Sequence, residues 1–167
     1  MIRRSMPGEE AAIRKVYVEA FKDDAASQKN EQEIVDQLRD DGALAISLVA
    51  VVNGTIGGHA AFSPATLNGA EGWYMVGPVG VLPECRSSVD NEGLLVLAGR
   101  NAVEFARRGA GCIAIGDLDF YGRLGFARNE GVTIAGVPDE KVLSLAFYGA
   151  KVPAGEVKIH PAYAAQA

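Results

Sequence analysis

The stretch that decides the fold runs from Gly77 to Phe126 and reads GPVGVLPECRSSVDNEGLLVLAGRNAVEFARRGAGCIAIGDLDFYGRLGF. The strand that opens it, Trp73–Leu82, is apolar and aromatic, and a polar turn follows. A long helix comes next, and its apolar face is formed by Leu95, Ala98, Ala102 and Phe105. A short buried strand, Cys112–Ile115, and a small helix, Phe120–Leu124, complete the stretch. This order predicts one crossover helix between two parallel strands.

Charged residues and glycines mark the ends of both helices. Arg107 and Arg108 occupy the last turn of the long helix, and Gly109 is suited to a left-handed cap. Asp119 can cap the small helix, and Gly125 can terminate it.

Pro78 lies inside the predicted strand Trp73–Leu82, between Gly77 and Gly80. Proline cannot donate a hydrogen bond to a neighbouring strand, so it is confined to edges and bulges. The residues by themselves therefore predict either an edge strand or a bulge that makes two strands diverge.

The segments before this stretch predict two helices and a hairpin. Helical spacing of apolar residues is found in 9–20 and 31–39, with acidic residues in each first turn. The strands Leu44–Val52 and Ile56–Phe62 flank Asn53-Gly54, a strong hairpin signal.

Three further extended segments follow the decisive stretch: Val132–Val137, Val142–Tyr148 and Glu156–Ile159. Hairpins early in the chain and one later crossover predict an α/β (α+β) fold. Its sheet is mixed and largely antiparallel, with helices on both faces. The length of 167 residues suits a single domain over 1–167.

Composition excludes several classes of function. A net charge of -5 and a pI near 5.1 argue against nucleic-acid binding. The longest apolar run, Ala43–Val52, is far shorter than the roughly 20 residues that cross a membrane, and no secretory signal is recognisable. We therefore expect a cytoplasmic protein without a membrane partner. The two cysteines, Cys85 and Cys112, support neither a disulfide framework nor a zinc site.

Several motifs in order resemble the GNAT superfamily of N-acetyltransferases, in particular its small bacterial branch of predicted acetyltransferases. They are SLVA at 47–50, GGH at 57–59, FSP at 62–64, GPVGVLPE at 77–84, GD at 116–117, FYGRLGF at 120–126 and HPAY at 160–163. Together they cover most of the chain.

The resemblance implies a splayed central strand pair whose gap receives the pantetheine arm of acetyl-CoA, the acyl donor. Backbone groups of Val79, Gly80 and Val81 would then bind the cofactor amides and polarise the thioester carbonyl. It also implies direct acetyl transfer to a primary amine on a small molecule or peptide, no metal ion, and a fold in which homodimers are common.

The turn after the strand departs from the family pattern. Such enzymes place glycines where a backbone grips the pyrophosphate, but the ungapped alignment puts Val89 and Asn91 at those positions, after Arg86. Asp90 and Glu92 add negative charge there. In one interpretation a shifted register lets Arg86, Ser87 and Ser88 bind phosphate. In the other, coenzyme A binds weakly and the chain is a catalytically silent ligand-binding or protein-interaction module.

The resemblance assigns catalysis to Tyr121, in the FYGRLGF motif, as the acid that protonates the departing thiolate. A phenol with a pKa of about 10 can donate a proton to such a thiolate, although aromatic residues here also serve as packing. No general base stands out. Asp117, Asp119 and Glu84 have capping or turn roles available, and for His59 and His160 a structural role is favoured.

Overall fold

The computed structural model describes residues 1–86 and 89–166. Within these ranges it has four α-helices: α1 Glu10–Phe21, α2 Glu31–Asp40, α3 Asn91–Asn101 and α4 Leu118–Tyr121. The eight strands in the same ranges are β1 Ile2–Arg4, β2 Ile46–Val52, β3 Thr55–Leu67, β4 Ala70–Val81, β5 Gly111–Ile115, β6 Val132–Ile134, β7 Val142–Ala146 and β8 Gly155–Lys158. None of the described helices combines the length and apolar character needed to cross a membrane.

The strands form one sheet in the order β1-β2-β3-β4-β5-β7, and β8 pairs with both β3 and β6. Most neighbours are antiparallel, but β4 and β5 are parallel and are joined through α3. The mixed, largely antiparallel sheet with one central crossover helix is therefore confirmed.

Helices cover both faces of the sheet, as predicted. On one face, Tyr17 of α1 and Val35 of α2 pack against Val49 of β2. On the other face, Leu95 of α3 packs into a cluster with Phe62 of β3. The sheet thus supplies a wall to each apolar cluster.

The predicted hairpin is present, with Asn53 and Gly54 at positive φ (51° and 77°) between antiparallel β2 and β3. β3 is longer than expected, because it continues through Pro64 to Leu67. β1 was missed, since three residues reading Ile-Arg-Arg carry no strand pattern of their own and are ordered by pairing with β2.

The end of the crossover helix differs from its prediction. After α3 the chain makes a π-helical turn over Ala102–Ala106, in which the Arg107 N–H donates to the Ala102 carbonyl at 3.1 Å. The extra residue in that turn rotates the following side chains. Val103, seven residues after buried Val96 and on the same helical face, is fully buried, whereas Phe105 is 72% exposed, so the prediction that Phe105 belongs to the buried face was wrong.

Two predicted helix caps were also misassigned. Arg108, with φ 52°, takes the left-handed conformation expected for Gly109. Gly109 is needed for space, because a Cβ there would lie 2.6 Å from Val103 Cγ1. Asp117 caps α4 by accepting from the Asp119 N–H at 3.0 Å, so Asp119 is not the cap. Gly125 terminates the segment at φ 96°, as predicted.

The central strands diverge at Pro78. Pairing of β4 with β5 ends at Val76 and Ala114. The register between β3 and β4 shifts between Ala60 and Phe62, which leaves Gly77 and Pro78 in a bulge. From Gly77 to Val81, β4 is therefore paired only with β3 within the described residues. The bulge and the splayed strand pair are both confirmed.

Candidate functional site

Two cavities lie along β4: one in the gap between β4 and β5, and one beside it, between β4 and the end of α1. The first, called the cleft, has a volume of about 430 Å³, and its walls include Glu31, Gly77, Pro78, Glu92, Tyr121 and Tyr163. The second, called the slot, has a volume of about 440 Å³, and its walls include Val79, Gly80, Val81 and Arg86. Phe21, Val79 and Glu92 border both cavities, which are therefore adjacent.

The backbone of β4 presents free polar groups to this gap. The Leu82 N–H donates to the Gly57 carbonyl of β3 at 2.8 Å. Because backbone groups alternate sides along a strand, Gly80 also faces β3, while the N–H and C=O groups of Val79 and Val81 point away from it. Of the three residues predicted to bind a cofactor through their backbones, Val79 and Val81 are thus oriented to do so.

Gly80 has a different role, which is close packing. A Cβ on Gly80 would lie 3.1 Å from Tyr17 Cδ1 and 3.4 Å from Phe21 Cε2. These two aromatic rings stack in α1, with centroids 6.3 Å apart. The glycine therefore allows α1 to approach the wall of the gap.

Two buried tyrosines fix the carbonyl groups of the bulge. The Tyr17 hydroxyl donates to the Pro78 carbonyl at 2.8 Å, and the Tyr163 hydroxyl donates to the Gly77 carbonyl at 2.6 Å. Tyr163 also lies 2.8 Å from the Ser63 hydroxyl. Because these buried carbonyls are satisfied by side chains, the bulge does not need a partner strand on the β5 side.

His59 belongs to the same hydrogen-bond network. Its Nδ1 lies 2.6 Å from the Tyr17 hydroxyl, and its Nε2 lies 2.8 Å from the Ser47 hydroxyl. Since the Tyr17 proton goes to the Pro78 carbonyl, Nδ1 carries a proton and donates to Tyr17, and Nε2 accepts from Ser47. Burial lowers the pKa of His59 to about 3, which keeps the imidazole neutral.

His160 is likewise engaged within the fold. Its Nδ1 accepts from the Ala162 N–H at 3.0 Å, and its Nε2 lies 3.1 Å from Asp41 Oδ2. These contacts connect the final turn to the end of α2 and leave neither nitrogen directed at the cleft.

Tyr121 lies in the cleft, on α4. Its ring packs edge-on against Phe126, with centroids 5.4 Å apart, and covers Gly116, where a Cβ would lie 2.6 Å from the ring. Burial raises the pKa of Tyr121 above its ordinary value, and the nearby Glu92 raises it further. The phenol therefore keeps its proton at neutral pH and can act as a proton donor.

Two carboxyl groups that sequence reasoning did not select also line the cleft. Glu31, in the first turn of α2, is only 4% exposed and accepts hydrogen bonds from the Ser27 hydroxyl at 2.6 and 2.8 Å. Glu92 of α3 is half-buried, and burial raises its pKa. A glutamate in a first helical turn is typical of any helix, so the sequence around Glu31 contains no signal of a site.

The turn after β4 is closed by its own side chains. Asp90 Oδ1 accepts from the Gly93 N–H at 2.9 Å and so caps α3. The Asn91 side chain donates to the Cys85 carbonyl at 2.9 Å, so it closes the turn and does not face the slot. The start of α3, which would attract a phosphate, is therefore occupied by a carboxylate.

The other residues predicted to hold a phosphate differ in their position relative to the slot. Arg86 borders the slot and donates to the Ala20 carbonyl at 2.9 Å. Val89 is 51% exposed and does not border either cavity. Ser87 and Ser88 lie outside the described residues.

A scan of the sequence against models of known protein families finds no match, and a search among curated proteins finds none either. Solved structures do match. A GNAT family acetyltransferase from Brucella melitensis, in complex with acetyl-CoA, is 40% identical, covers 98% of this chain and 97% of its own, and superposes with a TM-score of 0.84.

Two more distant structures share the fold. The GNAT family N-acetyltransferase YhbS from Escherichia coli, in complex with CoA, is 23% identical over 98% of this chain and 91% of its own, with a TM-score of 0.84. An aminoglycoside 6'-acetyltransferase type Ii is 15% identical over 92% of this chain and 99% of its own, with a TM-score of 0.61.

Proposed function

This chain belongs to the GNAT family of acetyltransferases, and from that premise we propose that it transfers the acetyl group of acetyl-CoA directly to a primary amine. The gap between β4 and β5 is the observation that carries the proposal. It begins where pairing stops at Val76, and the slot and the cleft together extend from the turn after β4 to Tyr121.

The residues of the gap fit the pantetheine arm of acetyl-CoA. Val79 and Val81 direct backbone donors and acceptors into the gap, as an arm that contains two amides requires. When bound there, acetyl-CoA supplies an acetyl thioester with an electrophilic carbonyl carbon. The Val79 N–H, beside the bulge, would stabilise the negative charge that develops on the carbonyl oxygen.

The residues near the phosphate end fit less well. Arg86 borders the slot and would contact the pyrophosphate. Opposing this, Asp23, Asp24 and Glu92 border the slot, and Asp90 occupies the N-terminus of α3. We therefore expect acetyl-CoA to bind through its pantetheine arm more than through its phosphates.

Tyr121 and Glu31 are proposed to move the two protons of the reaction. Glu31 takes a proton from the acceptor ammonium, either directly or through water, so that the nitrogen lone pair can form the C–N bond. As the C–S bond breaks, the Tyr121 hydroxyl donates its proton to the departing sulfur, and the nitrogen, positively charged after C–N bond formation, loses its second proton, which restores the Tyr121 hydroxyl. Glu31 is preferred over Glu92 as the base, because Glu92 also borders the slot and therefore lies on the coenzyme side.

A thermal-shift titration followed by an assay tests this function. One acetyl-CoA per chain at a hundredfold over its Kd should stabilise the protein by about 2.7 kcal/mol. Amines are then supplied, and the release of free thiol is followed. No stabilisation at millimolar acetyl-CoA would contradict the proposal.

The capped helix and the acidic slot favour a second candidate, a GNAT-fold module that binds a ligand or a protein without catalysis. Its expected result is acetyl-CoA binding that is weak or absent, with no thiol released above the rate of the Tyr121→Phe variant. Turnover that depends on Tyr121 would eliminate this candidate.

A further inference from the structure

A third cavity, called the apolar pocket, borders the cleft on the side away from the slot. Its volume is about 490 Å³, and it shares Ile115 and Tyr163 with the walls of the cleft. Because Tyr163 also holds the Gly77 carbonyl, the apolar pocket begins directly beside the bulge. Ile115 and Tyr163 thus form the boundary between the two cavities, and a molecule with one end in the cleft reaches this pocket by passing these two side chains.

The walls of the apolar pocket come from the two short parallel strands β6 and β8. Ile134 and Val157 are register partners there, and both are buried. Val137, Pro138 and Ile159 continue the apolar lining. A cavity of this size and character is suited to an aromatic or branched aliphatic group.

The charges of the two neighbouring cavities are opposite. Three acidic residues, Glu31, Glu92 and Asp117, line the cleft. The rim of the apolar pocket carries Lys141 and Lys158, and across residues 1–86 and 89–166 neither ammonium group has a carboxylate oxygen within 4.0 Å. Glu156 lies on the same rim and offsets one of these charges.

This distribution favours a single positive charge on the acceptor. An ammonium group is stabilised in the cleft by the carboxylates, whereas a second ammonium that reached the apolar pocket would meet apolar walls and the two lysines. Removing the hydration shell of such a group without a counter-charge is costly.

We propose that the acceptor is a monoamine with an aromatic or branched aliphatic body, and that this body fills the apolar pocket while the amine lies in the cleft. The inference rests on the proposed acetyl transfer and specifies its substrate class. Polyamines and aminoglycosides are poor acceptors on this basis.

A panel of amines tests the substrate class. The kcat/KM values of tryptamine and phenethylamine are compared with those of ethylamine, spermidine and kanamycin at one saturating acetyl-CoA concentration. Buried apolar contact should make tryptamine at least about tenfold better than ethylamine, and at least about tenfold better than spermidine. Spermidine or kanamycin as the best acceptor would overturn the inference.

Variants locate the binding of the amine body. Ala135 is exposed on the wall of the apolar pocket, so Ala135→Trp should fill it and lower kcat/KM for tryptamine about tenfold or more. Ethylamine turnover and the acetyl-CoA thermal shift should not change. Ala11→Trp, at an exposed position of α1, is the matched control and should leave all three measurements unchanged.

The rim charge is tested separately. Lys158→Glu should improve spermidine relative to tryptamine by several-fold, while the same change at Lys151, which is exposed in a loop away from the pocket, should not.

The outcomes separate the two proposals. If acetyl-CoA binds and amines are acetylated, but Ala135→Trp affects tryptamine and ethylamine equally, the substrate class is wrong and the acetyltransferase function stands. If acetyl-CoA neither stabilises the protein nor is consumed with any amine, the proposed function fails and the substrate class fails with it.

Discussion

At the scale of single residues, the burial of Tyr121 in the cleft affects the acidity of its hydroxyl group. Its FYGRLGF context predicted an acid, and the structure places it in the cleft with its pKa raised by burial. A raised pKa keeps the phenol protonated at neutral pH, and it also makes the phenol a weaker acid, so transfer to the departing sulfur requires the hydroxyl to be held in hydrogen-bond contact with it.

Tyr121→Phe should therefore lower kcat by about 10²- to 10⁴-fold, the usual contribution of a positioned general acid. The Kd of acetyl-CoA should change little, because the hydroxyl acts at the leaving group. Stopped-flow or steady-state thiol release measures the first quantity, and a thermal-shift titration measures the second. Equal turnover in the variant would remove Tyr121 from the mechanism.

Glu31→Gln tests the proposed base. Glutamine can still bond to Ser27, so the cleft should keep its shape while losing its proton acceptor. We expect a loss of about 10²-fold or more in kcat/KM. The remaining rate should rise tenfold per pH unit below the pKa of the amine, because it depends on acceptor that is already neutral. Glu92→Gln is the control, and a larger loss in that variant would reverse the assignment.

His59 makes stability depend on pH. Its pKa is lowered by burial to about 3 from 6.5, so below pH 6.5 the unfolded chain binds a proton that the folded chain does not. The contribution of His59 is complete above pH 6.5 and falls by up to about 1.4 kcal/mol per pH unit as the pH drops towards 3. Urea unfolding of the wild type and of His59→Gln between about pH 7 and pH 5 measures this difference. Parallel curves for the two proteins would show that His59 is not buried as a neutral side chain.

At the scale of secondary-structure elements, α3 explains both a success and a failure of sequence reasoning. Its periodicity predicted a buried face, and of that face Leu95 is fully buried and Ala98 and Ala102 are partly buried. The buried face continues to Val103 and not to Phe105, because Val103 packs in the same cluster as Leu95 and Val96. The hydrophobic pattern of the helix alone does not show which of these residues tertiary packing will bury.

The start of α3 carries a prediction about coenzyme binding. Asp90→Asn keeps an N-cap acceptor but removes one negative charge from the phosphate end of the slot. The variant should bind acetyl-CoA several-fold more tightly with little change in stability, as measured by calorimetric titration and by urea unfolding. Unchanged or weaker affinity would show that the phosphates do not lie at this helix.

The bulge in β4 was foreseen because proline has a fixed effect on strand pairing, whereas its supports were not. Tyr17 and Tyr163 are separated by most of the sequence, and each could have been an ordinary core aromatic residue. Glu31 was missed for the same reason, since only the packing of α2 beside β4 brings it to the cleft. The sequence motifs therefore predicted the strands and the helix that form the site. The other side chains that reach it are determined by long-range contacts, which the motifs do not show.

At the scale of the whole molecule, apolar clusters pack against both faces of one sheet. β4 contributes Val76 to one cluster and Met75 to another, because alternate residues face opposite sides. Because the same strand carries side chains of both clusters, unfolding of the cluster on one face also destabilises the cluster on the other face. We therefore propose that residues 1–167 form one cooperative domain.

Thermal unfolding should then show a single transition. Circular dichroism at 222 nm and the fluorescence of Trp73, which lies in β4, should give the same midpoint, with calorimetric and van't Hoff enthalpies in agreement. Two separated transitions would divide the chain and contradict the single-domain proposal.

The two tyrosines that brace Gly77 and Pro78 come from opposite ends of the chain. Tyr17 emerges early from the ribosome, but Tyr163 is translated long after both central strands. The Gly77 carbonyl therefore gains its side-chain partner only when the last segment of the fold is in place, whereas the Pro78 carbonyl depends on α1. A nascent chain halted before residue 163 would carry every proposed catalytic side chain and still lack the last support of its binding gap.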